Sequence, residues 1–481
     1  MQVAFTTLYF VCLGHIAIYG LHVLWLSCLY LRRSPVRPGP EKFETLPKVT
    51  VQLPVFNERL VVARLIRAVA AMDWPREKLQ IQVLDDSTDI TVAIAAHTIS
   101  QLKHQGYQIA HIRRPNRDGY KAGALANGLR SATGEFVAVF DADNLPRPDF
   151  LRRIMPYLAD ARVGLAQARW SFLNREQSLL CRAQALFLDG HFFIEQAARC
   201  RSGLFMNFNG TAGVWRRQAI EDAGGWQADT LTEDLDLSYR AQMAGWKFVM
   251  AEDVEVPTEL PAAIRSFKAQ QYRWARGAIE TGLKNLPRLT RSSLPLKIKI
   301  EAWFHLTQKT VSVALLLLSV LLVPALLLRW EGGGLKLFLV DLPILLAGTG
   351  SMSMFYGLAY RRQPQIHTTQ NALAMIMLSS LGVALAATNT AAVAGAFFAR
   401  RAAFVRTPKT GVAGGTSAPT PGDYRIRFDR TLGVETLLTA NALLAVGFSV
   451  HLDLLAGLPF LASFVVGYGY FTVLSLRDGY A

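Results

Sequence analysis

The sequence predicts an α/β domain with a mostly parallel sheet, inserted in an α-helical integral membrane region. Three observations carry that expectation. Long runs free of Lys, Arg, Asp and Glu lie toward both ends of the 481 residues, with a charge-bearing stretch between them. Within 38–300, strand-like and helix-like segments alternate with short connections, as βαβ units do. Acidic clusters directly follow two of the strand-like segments, where ligands bind in such sheets.

The composition narrows the class. At this length two or more structural units are expected. Apolar residues make up 51% and charged residues 18%, with a mean hydropathy of +0.22, which excludes a disordered or fibrous chain. The net charge of +15 (51 − 36) would suit nucleic acid, but the Lys and Arg form no block interleaved with aromatics. Many flank apolar stretches, where cytoplasmic retention and anionic head groups account for them. No nucleic-acid partner is therefore expected; membrane lipids and an anionic nucleotide sugar suit the charge better. Cys12, Cys28, Cys181 and Cys200 form no CxxC pair, so neither a disulfide framework nor a zinc site is implied. That points the soluble part toward the cytosol.

In chain order, residues 3–31 read as a transmembrane helix, followed by Arg32, Arg33 and Arg37. No Lys or Arg precedes the run and no small-residue cleavage site is evident, which argues against a signal peptide. Positive-inside logic puts the N-terminus outside. Val49–Leu53, Ile81–Leu84, 107–112 and Phe136–Phe140 read as strands, and 60–72, 92–104 and 119–130 as helices. A soluble domain over 38–300 is expected, with interfacial helices toward its C-terminal end. Spans are expected at about 303–328, 336–360, 434–452 and 456–475. A single crossing by 370–399 would place Arg400, Arg401, Arg406, Lys409, Arg425, Arg427 and Arg430 outside, so an interfacial or re-entrant segment fits better. Residues 411–424 read as a Gly/Pro/Thr loop within the longer connection 400–430.

The chemistry-bearing residues follow these elements. Asp85-Asp86 and Asp141-Ala142-Asp143 close two strands, and acidic clusters at neighbouring strand ends repel one another unless a cation lies between them. A hard divalent cation suits those oxygens and leaves positions for phosphate. Either cluster alone could be a turn or a cap. Gly119-Tyr-Lys121-Ala-Gly123 opens a helix, where Lys121 can neutralise a phosphate; an ordinary glycine turn is the bland alternative. Glu58 sits past the first strand, either near a nucleotide or capping the next helix. Thr232-Glu233-Asp234 starts a helix; capping accounts for such residues, but Asp234 is also the best candidate for a general base. Gln270, Arg273 and Trp274 share one helical face, suited to a diphosphate and a sugar ring, or else to membrane-interface anchoring by Trp274.

The set DDS, DxD, TED and QxxRW, in this order between apolar segments, resembles the family 2 processive glycosyltransferases, especially the plant cellulose synthase-like A and C groups and bacterial cellulose synthases. The carrying segments are VLDDSTD (83–89), GYKAGAL (119–125), FDADNLPRPDFL (140–151), QARW (167–170), HFFIEQ (191–196), FNGTAGVWR (208–216), AGGW (223–226), LTEDLDLSYRAQMAGWKF (231–248), ELP (259–261) and QQYRW (270–274).

The resemblance implies a GT-A fold and inverting transfer from a nucleotide sugar. It implies donor contacts by Glu58, Asp85, Asp86, Lys121, Asp141, Asp143, Gln270 and Arg273, with Mg²⁺ or Mn²⁺ on Asp141 and Asp143. Asp234 would be the catalytic base, with Glu233 and Trp274 on the acceptor side. Phe404, Arg406, Thr407 and Lys409 resemble the family's gating loop. The implied activity is hexose polymerisation from UDP-glucose or GDP-mannose into a β-1,4-linked glucan, mannan or glucomannan, exported from a cytosolic catalytic domain. In a bacterium the membrane would be the cell inner membrane. Accessory export subunits are left open, and control by cyclic di-GMP is not expected. A single-sugar lipid glycosyltransferase is the competing reading, and a nucleotide-binding channel or scaffold the third.

Overall fold

The computed structural model describes residues 2–39, 43–331, 346–363, 369–398, 409, 411, 429 and 431–480. Its centre is a seven-stranded sheet: β1 (Val49–Val55), β2 (Leu79–Asp85), β3 (Gln108–Arg113), β4 (Phe136–Val139), β5 (Val163–Phe172), β6 (Gly213–Arg216) and β7 (Lys247–Thr258), in the order β3-β2-β1-β4-β6-β5-β7. Most pairs are parallel, and β6 alone runs antiparallel to both its neighbours. β4 is an unbroken apolar run, while β1 and β2 alternate and bury the polar Thr50, Gln52 and Gln82, with Gln52 Nε2 donating to Gln82 Oε1 at 3.0 Å. Val49, Val51 and Leu53 are buried on one face against the helices Val62–Ala70 and Phe150–Ile154. Val137, Val139 and Leu165 face the other core, where the fully buried Trp215 ring meets Phe208, Trp226 and Phe248 edge-on or tilted.

Register sets the site. Val55 pairs with Asp85, so β1 and β2 end level, and β4 leaves the sheet beside Gln52. Glu58, Asp86 and Asp141 thus emerge at one edge. The two acidic clusters are not on neighbouring strands, however, because β1 lies between β2 and β4.

Among the described residues, four helical segments are long and apolar enough to cross a bilayer: Val3–Arg32, Leu296–Val320, Leu432–His451 and Leu458–Asp478. They give the chain the character of an integral membrane protein. The second begins earlier than its apolar run, since Glu301 is buried against Arg199 and His22, while Lys297 and Lys299 reach backbone carbonyls. The stretch expected to be interfacial consists of Thr369–Ala384 and Ala386–Phe398, broken at Leu385. Of the expected span 336–360, residues 336–345 lie outside the described residues. So does the connection 400–430, apart from Lys409, Gly411 and Asp429.

Candidate active site

A cavity of about 200 Å³ opens at the carboxyl edge of the sheet. Glu58, Asp86, Lys121, Asp141, Asp143, Glu233, Asp234, Gln270, Arg273, Trp274 and Lys409 all line it. Asp85 does not. It is buried behind the edge, its Oδ2 bonded to His111 Nε2 at 2.8 Å and its Oδ1 accepting from Ser87 N at 2.9 Å. Burial would raise its pKa, but these bonds bring it below the usual value.

Each acidic cluster also meets basic side chains of this chain. Arg114 binds Asp86 through Nε at 3.0 Å and Nη2 at 2.5 Å. The same guanidinium donates to the carbonyls of Asp118 and Tyr120, holding the glycine turn ahead of the helix Tyr120–Arg130. Gly119 needs its positive φ of 70°, and a side chain on Gly123 would strike the Asp118 carbonyl. Lys121 Nζ lies 2.5 Å from Asp141 Oδ1 and 2.9 Å from Gly210 O. Asp143 Oδ2 accepts from Thr258 Oγ1 at 2.6 Å, Glu259 N at 3.2 Å and Lys409 Nζ at 2.7 Å. Against its burial, Lys409 and these donors hold the Asp143 carboxyl low. The described residues include no group of three or more metal-type side chains. Two carboxylates with phosphate oxygens completing the shell is nevertheless a common mode for hard cations, and the oxygen-only donors of Asp141 and Asp143 fit it.

Asp234 stands opposite. The helix Glu233–Met243 opens on Thr232, whose hydroxyl makes no capping bond and instead meets Thr281 Oγ1 at 3.3 Å. Burial and the neighbouring Glu233 push the Asp234 carboxyl up to about 7, in spite of Lys121. Burial also raises Glu233. Two close carboxyls in low dielectric resist joint ionisation, leaving Asp234 poised to take a proton near neutrality. The helix Ile264–Arg291 supplies Gln270, Arg273 and Trp274 to the same wall, and burial lowers Arg273 to about 10. A Cβ on Gly277 would come within 2.5 Å of the Thr232 side chain, so this glycine lets the two helices close.

Glu58 lines the cavity, and its carbonyl accepts from Val61 N and Val62 N at the start of the next helix. Phe404, Arg406 and Thr407 lie outside the described residues. Reading the sequence alone singled out neither Arg114 nor His111, which hold the first acidic pair, nor Glu259, which binds Arg64 at 2.8 Å and Gly411 N at 3.1 Å. Arg117, stacked 3.4 Å over Phe56 at the cavity edge, was missed as well. Glu259 and Asn209 fall within the ELP and FNGTAGVWR segments, the only signal that pointed their way.

Sheet order and cavity placement define a glycosyltransferase-type α/β domain of the GT-A class. Residues 47–277, just under half of the chain, match the model described as glycosyltransferase like family 2. It is 42% identical over 288 residues to glucomannan 4-beta-mannosyltransferase 1 of Oryza sativa subsp. japonica, covering 57% of this chain and 54% of that one. It is 44% identical over 262 residues to glucomannan 4-beta-mannosyltransferase 2 of Arabidopsis thaliana, covering 53% and 48%. The chain thus spans about half the length of the curated relatives it matches. Among solved structures, the mannosyltransferase PcManGT from Pyrobaculum calidifontis in complex with GDP-Man and Mn²⁺ shares the fold, with a TM-score of 0.54 at 20% identity, over 82% of this chain and 99% of that one.

Proposed function

We propose that the chain is a membrane-embedded, inverting, processive glycosyltransferase that adds mannosyl units from GDP-mannose to a β-1,4-linked polysaccharide. One observation carries the reading: Asp234, raised to about 7, faces the same cavity as Lys121, Arg273 and the Asp141 carboxylate. The glucomannan mannosyltransferase names of the relatives support mannose as the sugar. The four apolar helical segments and the Arg-flanked first span support a membrane site with its catalytic domain on the cytosolic side.

In this reading Asp234 takes the proton of the acceptor hydroxyl as its oxygen bonds to the anomeric carbon. The bond from that carbon to the diphosphate oxygen breaks on the opposite face, inverting the centre. Lys121 and Arg273 meet the charge of the departing diphosphate, and Gln270 donates a hydrogen bond to it. The Trp274 ring supports the acceptor sugar, with Glu233 beside it. A divalent cation, Mg²⁺ or Mn²⁺, would bind Asp141 and Asp143 and stabilise the leaving diphosphate. Lys409, now on Asp143, then shares that carboxylate with whatever enters.

The test is nucleoside-diphosphate release by the purified chain with GDP-mannose and UDP-glucose in parallel, and Asp234→Asn as blank. GDP release that disappears in the variant is expected. Release unchanged by the variant would overturn Asp234 as base, and UDP release alone would overturn the donor.

A further inference from the structure

The HFFIEQ segment takes no part in the chemistry above, yet it forms a π-helical turn, Gly190–Gln196. Such turns occur mostly at functional places. Its polar side chains converge on Asn209, which lines the cavity. Gln196 Nε2 donates to the Asn207 carbonyl at 2.6 Å, which fixes the orientation of its amide, and to Asn209 Oδ1 at 2.9 Å. Asn209 Nδ2 is therefore the atom that donates to His191 Nε2 at 2.8 Å. His191 then carries its proton on Nδ1 and gives that bond to Glu195 Oε2 at 2.9 Å. Against its burial, His191 and Arg199 hold the Glu195 carboxyl well below the usual range. Arg199 lies 3.6 Å from Glu195 and is itself anchored on Glu301 at 2.7 Å.

One hydrogen of Asn209 Nδ2 is thus engaged, and the other is what this half-buried residue offers to the cavity. Its position gives that donor a use. At the adjacent Gly210 a Cβ would lie 2.9 Å from Asp234 Oδ2, so Asn209 stands next to the base, on a wall separate from the ends of β1 and β2.

We propose that Asn209 donates a hydrogen bond to a hydroxyl oxygen of the acceptor sugar, and that His191, Glu195 and Gln196 are positioning residues that aim its amide. This rests on the reading of the cavity as a glycosyl-transfer site. The test uses the purified full chain in detergent with GDP-mannose and β-1,4-mannotetraose. Asn209→Asp keeps the shape but removes the N–H, and should raise the acceptor KM about tenfold while GDP affinity stays unchanged. His191→Ala should give the same split, and His191→Gln, whose Oε1 can accept the Asn209 bond, should restore most of it. An unchanged acceptor KM in Asn209→Asp would overturn the proposal. So would a loss of GDP affinity as large as the acceptor effect, which marks a structural role. Wild-type protein that transfers no sugar to mannotetraose, or to cellotetraose from UDP-glucose, would instead sink the transfer reading and this inference with it.

Discussion

Replacing Asp234 with Asn separates the cost of the catalytic carboxyl from its use. The carboxyl moves from 3.8 to about 7 on folding because it is buried and lies beside Glu233. A raised value means that the folded chain prefers the protonated form. Stability is fully present below about pH 4, falls as pH rises toward 7, and is flat above. The full difference corresponds to about 4 kcal/mol, and water in the open cavity screens it to about 2 kcal/mol. Asp234→Asn should therefore stabilise the chain by that amount at pH 8.5, by less at pH 5.5, and eliminate transfer at both. Thermal melting in detergent at the two pH values, with turnover measured alongside, reads both effects. In the wild type, turnover should fall to half near pH 7 on the acid side as the base is protonated. A variant less stable than wild type at pH 8.5, or a stability gain independent of pH, would refute the reasoning.

Lys121 lowers the Asp234 carboxyl, so Lys121→Met should move the acid-side half-point of the pH–rate profile upward by about one pH unit while weakening nucleotide binding. Gly277→Ala places a methyl 2.5 Å from Thr232 and must part the helices bearing Asp234 and Arg273; kcat/KM should drop about tenfold or more. Lys268 Nζ donates to Asp429 at 2.8 Å, Glu435 at 2.5 Å and Ser475 at 2.9 Å, tying the Gln270–Trp274 helix to the last two spans. Lys268→Ala strands two buried carboxylates and should cost about 3–5 kcal/mol, read as a lower melting temperature.

The strands that build the cavity edge were legible because β1 and β2 place apolar residues at every second position, β4 is apolar throughout, and acidic residues follow β2 and β4 closely. Val49–Val55, Leu79–Asp85 and Phe136–Val139 all fall where alternating segments put them. Beyond residue 140 the signal fades: β6 has four residues inside a glycine-rich segment, and its antiparallel insertion between β4 and β5 depends on tertiary contacts. The twin aspartates read as equivalents, yet they face opposite ways. Asp85 turns inward to His111 on β3, and Asp86 turns to Arg114 at the cavity. Asp143 and Lys409 are 266 residues apart, and Arg199 and Glu301 are 102 apart, so no local pattern encodes either pair. Gly277 reads as an ordinary helix residue in the sequence, because the Thr232 side chain that packs on it comes from a segment 45 residues away.

The most direct test of the account is the product itself. Membranes carrying the chain would be given labelled GDP-mannose and Mn²⁺, and the product digested with β-mannanase and with β-glucanase, with Asp234→Asn membranes as the blank. The account predicts an insoluble polymer that β-mannanase releases and the variant does not make. Label found only in a chloroform-soluble product resistant to both enzymes would contradict it and make the chain a lipid glycosyltransferase.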